Sequence, residues 1–243
     1  MLSGTAILKK SFNRYVNVLF GIAAPRHCEI CGSFIGEQKT ILEFICNDCL
    51  LNLPPAPPPD EIMNKLILNF EADELSISRA YCLFSVVRNF EIMEVIYSLK
   101  YRGFTRIGTE FGRELGSVVK KYRDISYDGI IPVPIHHARR RERGFNQSEI
   151  IARAVSEVLG CPVKTKVIKR KKYTPSQTTL SKSERRKNVD NIFVPFNSNE
   201  ELYNLSFLLI DDVLTTGSTL NSLATSLLER GARRVDCAAL AYA

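Results

Sequence analysis

The sequence predicts an α/β protein: a parallel β-sheet with helices on both faces, preceded by a small module built around four cysteines. Beyond residue 60, apolar runs of strand length alternate with segments that have the period of amphipathic helices. This alternation is typical of parallel sheets, because each crossover places a helix on a face of the sheet. Two Cys-x2-Cys pairs lie within residues 28–49, and the segment 51–60 contains five prolines. We therefore expect an N-terminal helix and zinc-binding module over 1–53, a proline-rich linker over 54–60 and the sheet domain over 61–243.

The composition excludes several classes of protein. With 243 residues, 45% of them hydrophobic, the chain can form one full α/β core and a small appendage. Charged residues make up 24%, which suggests neither a disordered nor a fibrous chain. No apolar run approaches the roughly 18 residues that a membrane-spanning helix requires. Residues 1–25 are interrupted by Lys9, Lys10 and Arg14 and lack the order of a secretory signal. We expect an amphipathic helix there, no membrane span, and a cytoplasmic location.

The positive charge of the chain is concentrated in one region. The net charge is +7, but residues 139–187 contain 15 Lys and Arg against four Glu, a local charge of +11. Such an excess indicates a polyanionic partner, either a pyrophosphate, a nucleic acid or both. The alternative is an ordinary solvated surface rich in lysine.

The four paired cysteines have the spacing of a structural zinc site. Fourteen residues separate the two pairs, and four thiolates at this spacing can close a tetrahedral zinc site. Zinc suits thiolates, whereas a hard cation prefers oxygen ligands. Two disulfides are the alternative, which a reducing cytosol disfavours. The predicted zinc ligands are Cys28, Cys31, Cys46 and Cys49.

Ten further elements follow from hydrophobic periodicity. We expect helices over 61–70, 90–101, 107–122, 146–159 and 217–230. We expect strands over 78–87, 128–133, 162–169, 205–213 and 234–242. A long basic loop follows the strand 128–133, and a polar stretch covers 170–190. Ligands of such sheets bind outside the carboxyl ends of the strands.

The segment 206–219, SFLLIDDVLTTGST, is the most specific motif of the chain. Four apolar residues form a buried strand that ends in Asp211 and Asp212. A turn then leads into a helix, where backbone amides, the helix dipole and hydroxyl groups form a cup for a dianionic phosphate. Two acids close by suit the vicinal hydroxyls of a ribose. Taken alone, the two acids could be an ordinary acidic turn, and the Thr and Ser residues could be an ordinary helix cap. The combination of the two is more specific than either. The cup comprises Thr215, Thr216, Gly217, Ser218 and Thr219.

This motif resembles the signature of the type I phosphoribosyltransferases. The resemblance implies that Asp211 and Asp212 face the ribose of phosphoribosyl pyrophosphate and that the residues from Thr215 to Thr219 bind its 5-phosphate. It also implies the type I phosphoribosyltransferase fold and a Mg²⁺ ion that accompanies the substrate. Mg²⁺ would be held chiefly by substrate oxygens.

The segment 131–147, IPVPIHHARRRERGFNQ, is similar to the pyrophosphate loop of the same superfamily. Arg139, Arg140 and Arg143 are the candidates to bind pyrophosphate, because a guanidinium group binds phosphate in a bidentate manner. If the protein is an enzyme, we expect Asp211, Asp212 and Arg143 to act in catalysis. His136 and His137 are candidates for general acid or base catalysis, although histidines in loops are often incidental.

The whole pattern resembles the ComF family of competence-related, amidophosphoribosyltransferase-like proteins over about residues 20–243. The shared features, besides the cysteine pairs and the segment 211–219, are LKYRG at 99–103, PVP at 132–134, RGFNQ at 143–147, TPSQ at 174–177 and RRKN at 185–188. Residues 170–188 resemble the mobile hood that closes over substrate in these enzymes. The resemblance implies a role in natural transformation, in which the family handles single-stranded DNA with helicase and recombination partners.

Three hypotheses about function remain open at this level. The protein is a transferase that releases pyrophosphate towards an unidentified acceptor, a binding module for phosphoribosyl pyrophosphate or DNA in DNA uptake, or a ligand-sensing regulator. No segment specifies a nucleobase or amine acceptor, and Cys28 belongs to the zinc set, so it does not serve as an amidotransferase nucleophile. No helix-turn-helix is evident that would support a DNA-binding regulator.

Overall fold

The computed structural model of the protein describes most, but not all, of the chain. The described residues are 26–35, 40, 42, 44–71, 73–86, 91–101, 105–170, 193–196 and 202–243. The predicted N-terminal helix within 1–25 lies outside them, as does the predicted hood apart from Arg170. The chain divides into two compact units, Met1–Leu53 and Pro54–Ala243.

The second unit contains the α/β domain. Helix α1 (Asn47–Asn52) belongs to the first unit. The helices of the second unit are α2 (Pro59–Ile67), α3 (Glu91–Tyr101), α4 (Thr105–Tyr122), α5 (His137–Arg143), α6 (Gln147–Leu159) and α7 (Ser218–Leu228). The strands are β1 (Ala80–Ser85), β2 (Gly129–Pro132), β3 (Ile168–Arg170), β4 (Phe193–Pro195), β5 (Ser206–Leu214) and β6 (Arg234–Tyr242). None of the helices among the described residues is both long and apolar enough to span a membrane.

Four strands form the central sheet in the order β1-β6-β5-β2, and all their pairings are parallel. The central strand β5 is apolar over 207–210 because both of its faces are covered, and these four residues are fully buried. Phe207 and Leu209 share a core with residues of α2 and α7. The alternate residues Leu208 and Ile210 point to the opposite face, on which α6 packs against β5. The predicted fold class, a parallel sheet with helices on both faces, is confirmed.

The strand predicted over 162–169 is wrong in position. Residues 162–164 meet the sheet at a single parallel bridge, in which the Ile130 amide donates to the Pro162 carbonyl and the Lys164 amide donates to the Ile130 carbonyl. Thr165 and Lys166 are exposed, so the polar run there interrupts the strand. The chain then forms β3, which pairs antiparallel with β4, a strand that periodicity did not indicate.

Residues of the proline-rich segment run along β1 in the second unit. The Ser85 amide donates to the Pro54 carbonyl, and the Ala56 amide donates to the Leu83 carbonyl. Pro59 begins α2, where a missing amide hydrogen costs nothing. The segment predicted as a linker thus covers an edge of the sheet and starts a helix.

A row of glycines allows α4 and α6 to approach closely. A Cβ atom at Gly112 would lie 2.7 Å from the Cβ of Ala154 and 3.0 Å from the Ile151 carbonyl oxygen. Both neighbours belong to α6, and one is backbone, which cannot move aside without shifting the helix. The row consists of Gly108, Gly112 and Gly116, one helical turn apart.

We predict that Gly112→Val lowers the free energy of unfolding by about 3 kcal/mol, because an overpacked helix contact forces the backbones apart. Urea denaturation followed by circular dichroism measures this change. Ser117→Val, on the exposed side of the same helix, is the matched control and should change stability by about 0.5 kcal/mol or less. Equal effects of the two substitutions would contradict close packing of α4 on α6.

Candidate functional site

The direction of the chain reverses between β2 and β5, which defines the crevice where ligands bind in such sheets. After β2, the chain passes through α5 and α6 and meets the free edge of β2 at Val163. After β5, it passes through α7 to β6, on the other side of β5. The carboxyl ends of β2 and β5 therefore border one crevice. The two segments predicted to bind phosphate groups both begin there.

Asp211 and Asp212, which we call the acid pair, lie within β5 near its carboxyl end. The Asp211 Oδ1 atom accepts hydrogen bonds from the Ser148 hydroxyl at 3.1 Å and from the Asp212 amide at 2.9 Å. Asp212 has a different partner, which lies on α3. Its Oδ2 atom lies 3.0 Å from the Lys100 ammonium nitrogen.

Burial and the adjacent charge of Asp212 raise the pKa of Asp211 to about 7. The Asp212 amide, the Ser148 hydroxyl and the Lys100 charge act in the opposite direction. A carboxylate in such a balance is an acceptor whose strength changes near neutral pH. The acid pair is therefore electrostatically unlike an acidic turn on a solvated surface.

The residues after the acid pair form a helix terminus whose first amide, that of Ser218, donates to Thr216 Oγ1 at 3.4 Å. Gly217 adopts a left-handed conformation with φ of 79° and is the N-cap of α7, without a side-chain hydrogen bond to the helix. A Cβ atom there would lie 2.9 Å from Leu66 Cδ2, so both conformation and space require glycine. The hydroxyls of Thr216 and Ser218 lie 2.9 Å apart. Since the first amides of α7 have no intrahelical acceptor, this terminus suits an anion.

The arginine-rich segment after β2 is a helix, α5, and not the loop that we predicted. The Nδ1 atom of His136 accepts a hydrogen bond from the Ala138 amide at 3.2 Å and so caps the helix. Gly144 ends it with φ of 79°. The run contains no apolar stripe for periodicity to detect, yet arginine favours helices. Cap formation gives His136 a structural role, and the side chain of His137 is not described.

The three predicted pyrophosphate-binding arginines all lie on α5, although not in equivalent places. Arg140 is exposed, whereas Arg139 and Arg143 are partly buried. Burial, followed by the charge of Arg139, lowers the pKa of Arg170, and the charge of Asp211 opposes this change. Arg170 therefore lies within electrostatic range of both Arg139 and Asp211.

The start of α6 connects β2 to the acid pair. Asn146 caps α6 by accepting from the Ser148 amide at 3.1 Å, and its side-chain amide donates to the Val133 carbonyl at 3.0 Å. These two bonds fix the helix start beside the end of β2, so the hydroxyl of Ser148 reaches Asp211. Gln147, the first residue of α6, has an exposed fraction of only 1%.

Sequence reasoning missed three residues of this site: Lys100, Ser148 and Arg170. Lys100 occurs in the LKYRG segment, which contributed to the resemblance without being given a role. Ser148 directly follows RGFNQ, and Arg170 was assigned to the hood. A cation at the end of an amphipathic helix and a serine at a helix start are common, so neither signals a site alone.

The four predicted zinc ligands come together in the first unit. Their sulfur atoms all lie within 4.8 Å of one another, and all four cysteines are free thiols. The Cys46 amide donates to Cys28 Sγ, and the Cys49 amide donates to Cys46 Sγ, both at 3.4 Å. Hydrogen bonds from Ser33 lower the pKa of the Cys31 thiol. This cluster fits a soft metal ion such as zinc.

Comparison with known proteins relates the second unit to a known domain family. The Phosphoribosyl transferase domain family matches residues 146–243. The DNA utilization protein YhgH of Escherichia coli O157:H7 is 37% identical over 232 residues, which cover 86% of this chain and 87% of that protein. The chain belongs to the ComF family. Competence protein F of Haemophilus influenzae is 38% identical over 116 residues, 48% of this chain and 51% of that protein. Competence protein ComFC of Bacillus subtilis is 32% identical over 144 residues, 59% of this chain and 56% of that protein.

Coverage differs among these ComF relatives. The chain spans about half the length of Competence protein F, but most of YhgH from Escherichia coli O157:H7. Among solved structures, a purine phosphoribosyltransferase from Pyrococcus horikoshii is 22% identical with a TM-score of 0.35, covering 54% of this chain and 70% of that one. The homologues and the family match together identify a phosphoribosyltransferase-like domain.

Proposed function

We propose that this ComF-family protein binds phosphoribosyl pyrophosphate at the carboxyl ends of β2 and β5. The observation that carries the proposal is the segment from Asp211 to Ser218, in which a hydrogen-bonded acid pair near the end of β5 is followed, after a short turn, by the N-terminus of α7. A sugar with two adjacent hydroxyls matches the first, and a dianionic phosphate matches the second. Ribose 5-phosphate combines both groups in one small molecule.

Each part of the ligand then has a chemical partner. Asp211 and Asp212 accept from the ribose hydroxyls, and the residues from Thr215 to Thr219 bind the 5-phosphate through amides and hydroxyls. Arg139, Arg140 and Arg143, on the helix that follows β2, would bind the pyrophosphate group. Magnesium, when bound, supplies positive charge to the pyrophosphate, with oxygen ligands drawn mainly from the substrate. In a transfer reaction these groups act by positioning and charge stabilisation, with Arg143 on the leaving pyrophosphate.

We also propose that the protein acts in natural transformation and meets single-stranded DNA in the cytoplasm. Relatives named for competence and for DNA utilization support this role. The +11 charge of residues 139–187 favours a phosphate backbone as a second polyanionic partner. Helicase and recombination proteins of competence are the protein partners that this role would require.

A structural zinc ion is the third part of the proposal. Cys28, Cys31, Cys46 and Cys49 supply four sulfur ligands, which leave no open coordination position, so the metal would stabilise the first unit and take no part in chemistry. The module would form a separate domain over about residues 1–53, joined to the transferase-like domain by the proline-rich segment.

Replacement of the acid pair, Asp211→Asn with Asp212→Asn, should weaken phosphoribosyl pyrophosphate binding at least about tenfold, because two charged acceptors become neutral amides. Isothermal titration calorimetry with Mg²⁺ present measures the affinity. Asp60→Asn with Glu61→Gln also removes two adjacent acids, on the exposed first turn of α2, and should leave the affinity unchanged. Unchanged affinity of the acid-pair variant, with its fold intact, would refute the proposed site.

The acid-pair variant and a second variant, in the arginines of α5, together separate ligand binding from DNA binding. Neutralising Arg139, Arg140 and Arg141 should weaken single-strand binding and reduce its dependence on salt, as measured by fluorescence anisotropy. The acid-pair variant should bind the strand as tightly as the unmodified protein. If both variants lose both ligands, a single shared site replaces the two proposed here.

Protein purified under reducing conditions should contain about one equivalent of zinc by elemental analysis, as four thiolates imply. Cys28→Ser with Cys49→Ser should abolish the metal, whereas Cys161→Ser, which alters a buried cysteine outside the cluster, should retain it. A metal-free protein with a fully folded first unit would refute the proposed zinc site.

A further inference from the structure

Lys100, in the last turn of α3, forms an ion pair with Asp212 of the acid pair that is largely shielded from water. Its ammonium nitrogen lies 3.0 Å from Asp212 Oδ2, and the two side chains are 23% and 13% exposed. By comparison, the ion pair of Lys65 and Glu61 on α2 has exposed fractions of 45% and 54%. Charges interact more strongly, and are screened less by salt, when water is excluded. The field of Lys100 therefore matters more at its site than that of a surface lysine.

The hydrogen bonds of the acid pair leave one oxygen on each carboxylate available. Asp211 Oδ1 accepts from Ser148 and from the Asp212 amide, and Asp212 Oδ2 faces Lys100. Within the part of the chain that the structure describes, no donor reaches Asp211 Oδ2 or Asp212 Oδ1. One free acceptor on each of two adjacent acids suits two adjacent hydroxyl groups.

Two neighbouring carboxyl groups stay ionised together near neutral pH more readily when a cation lies beside them. Among the residues that the structure describes, the charged or titratable groups that influence Asp211 are Asp212 on β5, Lys100 on α3, Arg170 on β3 and the buried thiol of Cys237 on β6. Lys100 is the cation among them that touches the acid pair at hydrogen-bond distance. It lowers the pKa of Asp211 against the effects of burial and of Asp212.

We infer that Lys100 is a positioning residue of the sugar-phosphate site: it neutralises and orients Asp212, so that the acid pair binds ribose 5-phosphate without a divalent cation. The inference rests on the proposed function and makes it more specific. A ligand without pyrophosphate needs no metal, because the protein supplies the countercharge for the acids. A pyrophosphate group brings its own requirement for Mg²⁺, which is independent of Lys100.

Calorimetry with ribose 5-phosphate in the presence of EDTA tests this inference, using Lys100→Gln, Lys100→Arg and the control Lys65→Gln. Glutamine keeps a hydrogen-bond donor but removes the charge, so the affinity near pH 7 should fall about tenfold. The pH midpoint of binding should also rise by about one unit, because Asp211 loses a nearby positive charge. Lys100→Arg should restore most of the affinity, and Lys65→Gln should behave like the unmodified protein.

A second measurement is independent of ligand binding. The Asp212 amide donates to Asp211 Oδ1, so its NMR chemical shift follows the titration of that carboxyl group. Lys100→Gln should move the midpoint of this titration upward, and a midpoint and ribose 5-phosphate affinity that both match the unmodified protein would overturn the inference. If the unmodified protein binds phosphoribosyl pyrophosphate with Mg²⁺ but no ribose 5-phosphate, the inference fails and the proposed function stands; if it binds neither ligand, the proposed function fails as well. Binding of ribose 5-phosphate that requires Mg²⁺ in the unmodified protein would also overturn the inference.

Discussion

The site depends on the placement of two adjacent carboxylates at the buried end of β5. Adjacent acids repel each other, and burial makes their charge more costly, so such a pair persists only where donors and a cation surround it. Here the donors are the Ser148 hydroxyl and the Asp212 amide, and the cation is Lys100. These groups come from α6, β5 and α3, so three elements must be placed correctly before the acids can be ionised together.

The packing of the domain provides that placement. The glycines of α4 allow α6 to approach closely, and the two bonds of Asn146 hold the start of α6 beside β2. On the other face, Leu66 of α2 fills the space beside Gly217, so the turn after the acids is shaped by the core. Helix packing therefore sets the geometry of the site. A shift of α6 would move Ser148 away from Asp211, and a shift of α2 would change the space beside Gly217.

The sequence indicates the parallel sheet and the acid-and-turn motif because both depend on local signals. The apolar run 207–210 marks a strand buried on both faces, and Gly217 marks a turn that only glycine fits. Periodicity fails at α5, whose seven residues HARRRER contain no apolar stripe and are stabilised by a histidine cap and a left-handed glycine. It also fails at 162–169, where one bridge joins the sheet and the chain then pairs elsewhere. Lys100 could not be assigned from sequence, because it is 112 positions from Asp212 and only the tertiary fold brings them together.

A crystal structure of the protein with bound ribose 5-phosphate tests the central claim most directly. We predict that the phosphate lies about 3 Å from the first amides of α7, with two ribose hydroxyls on Asp211 Oδ2 and Asp212 Oδ1. A ligand bound outside the crevice between β2 and β5, or one whose phosphate rests on the arginines of α5 while the turn at Gly217 stays empty, would contradict it.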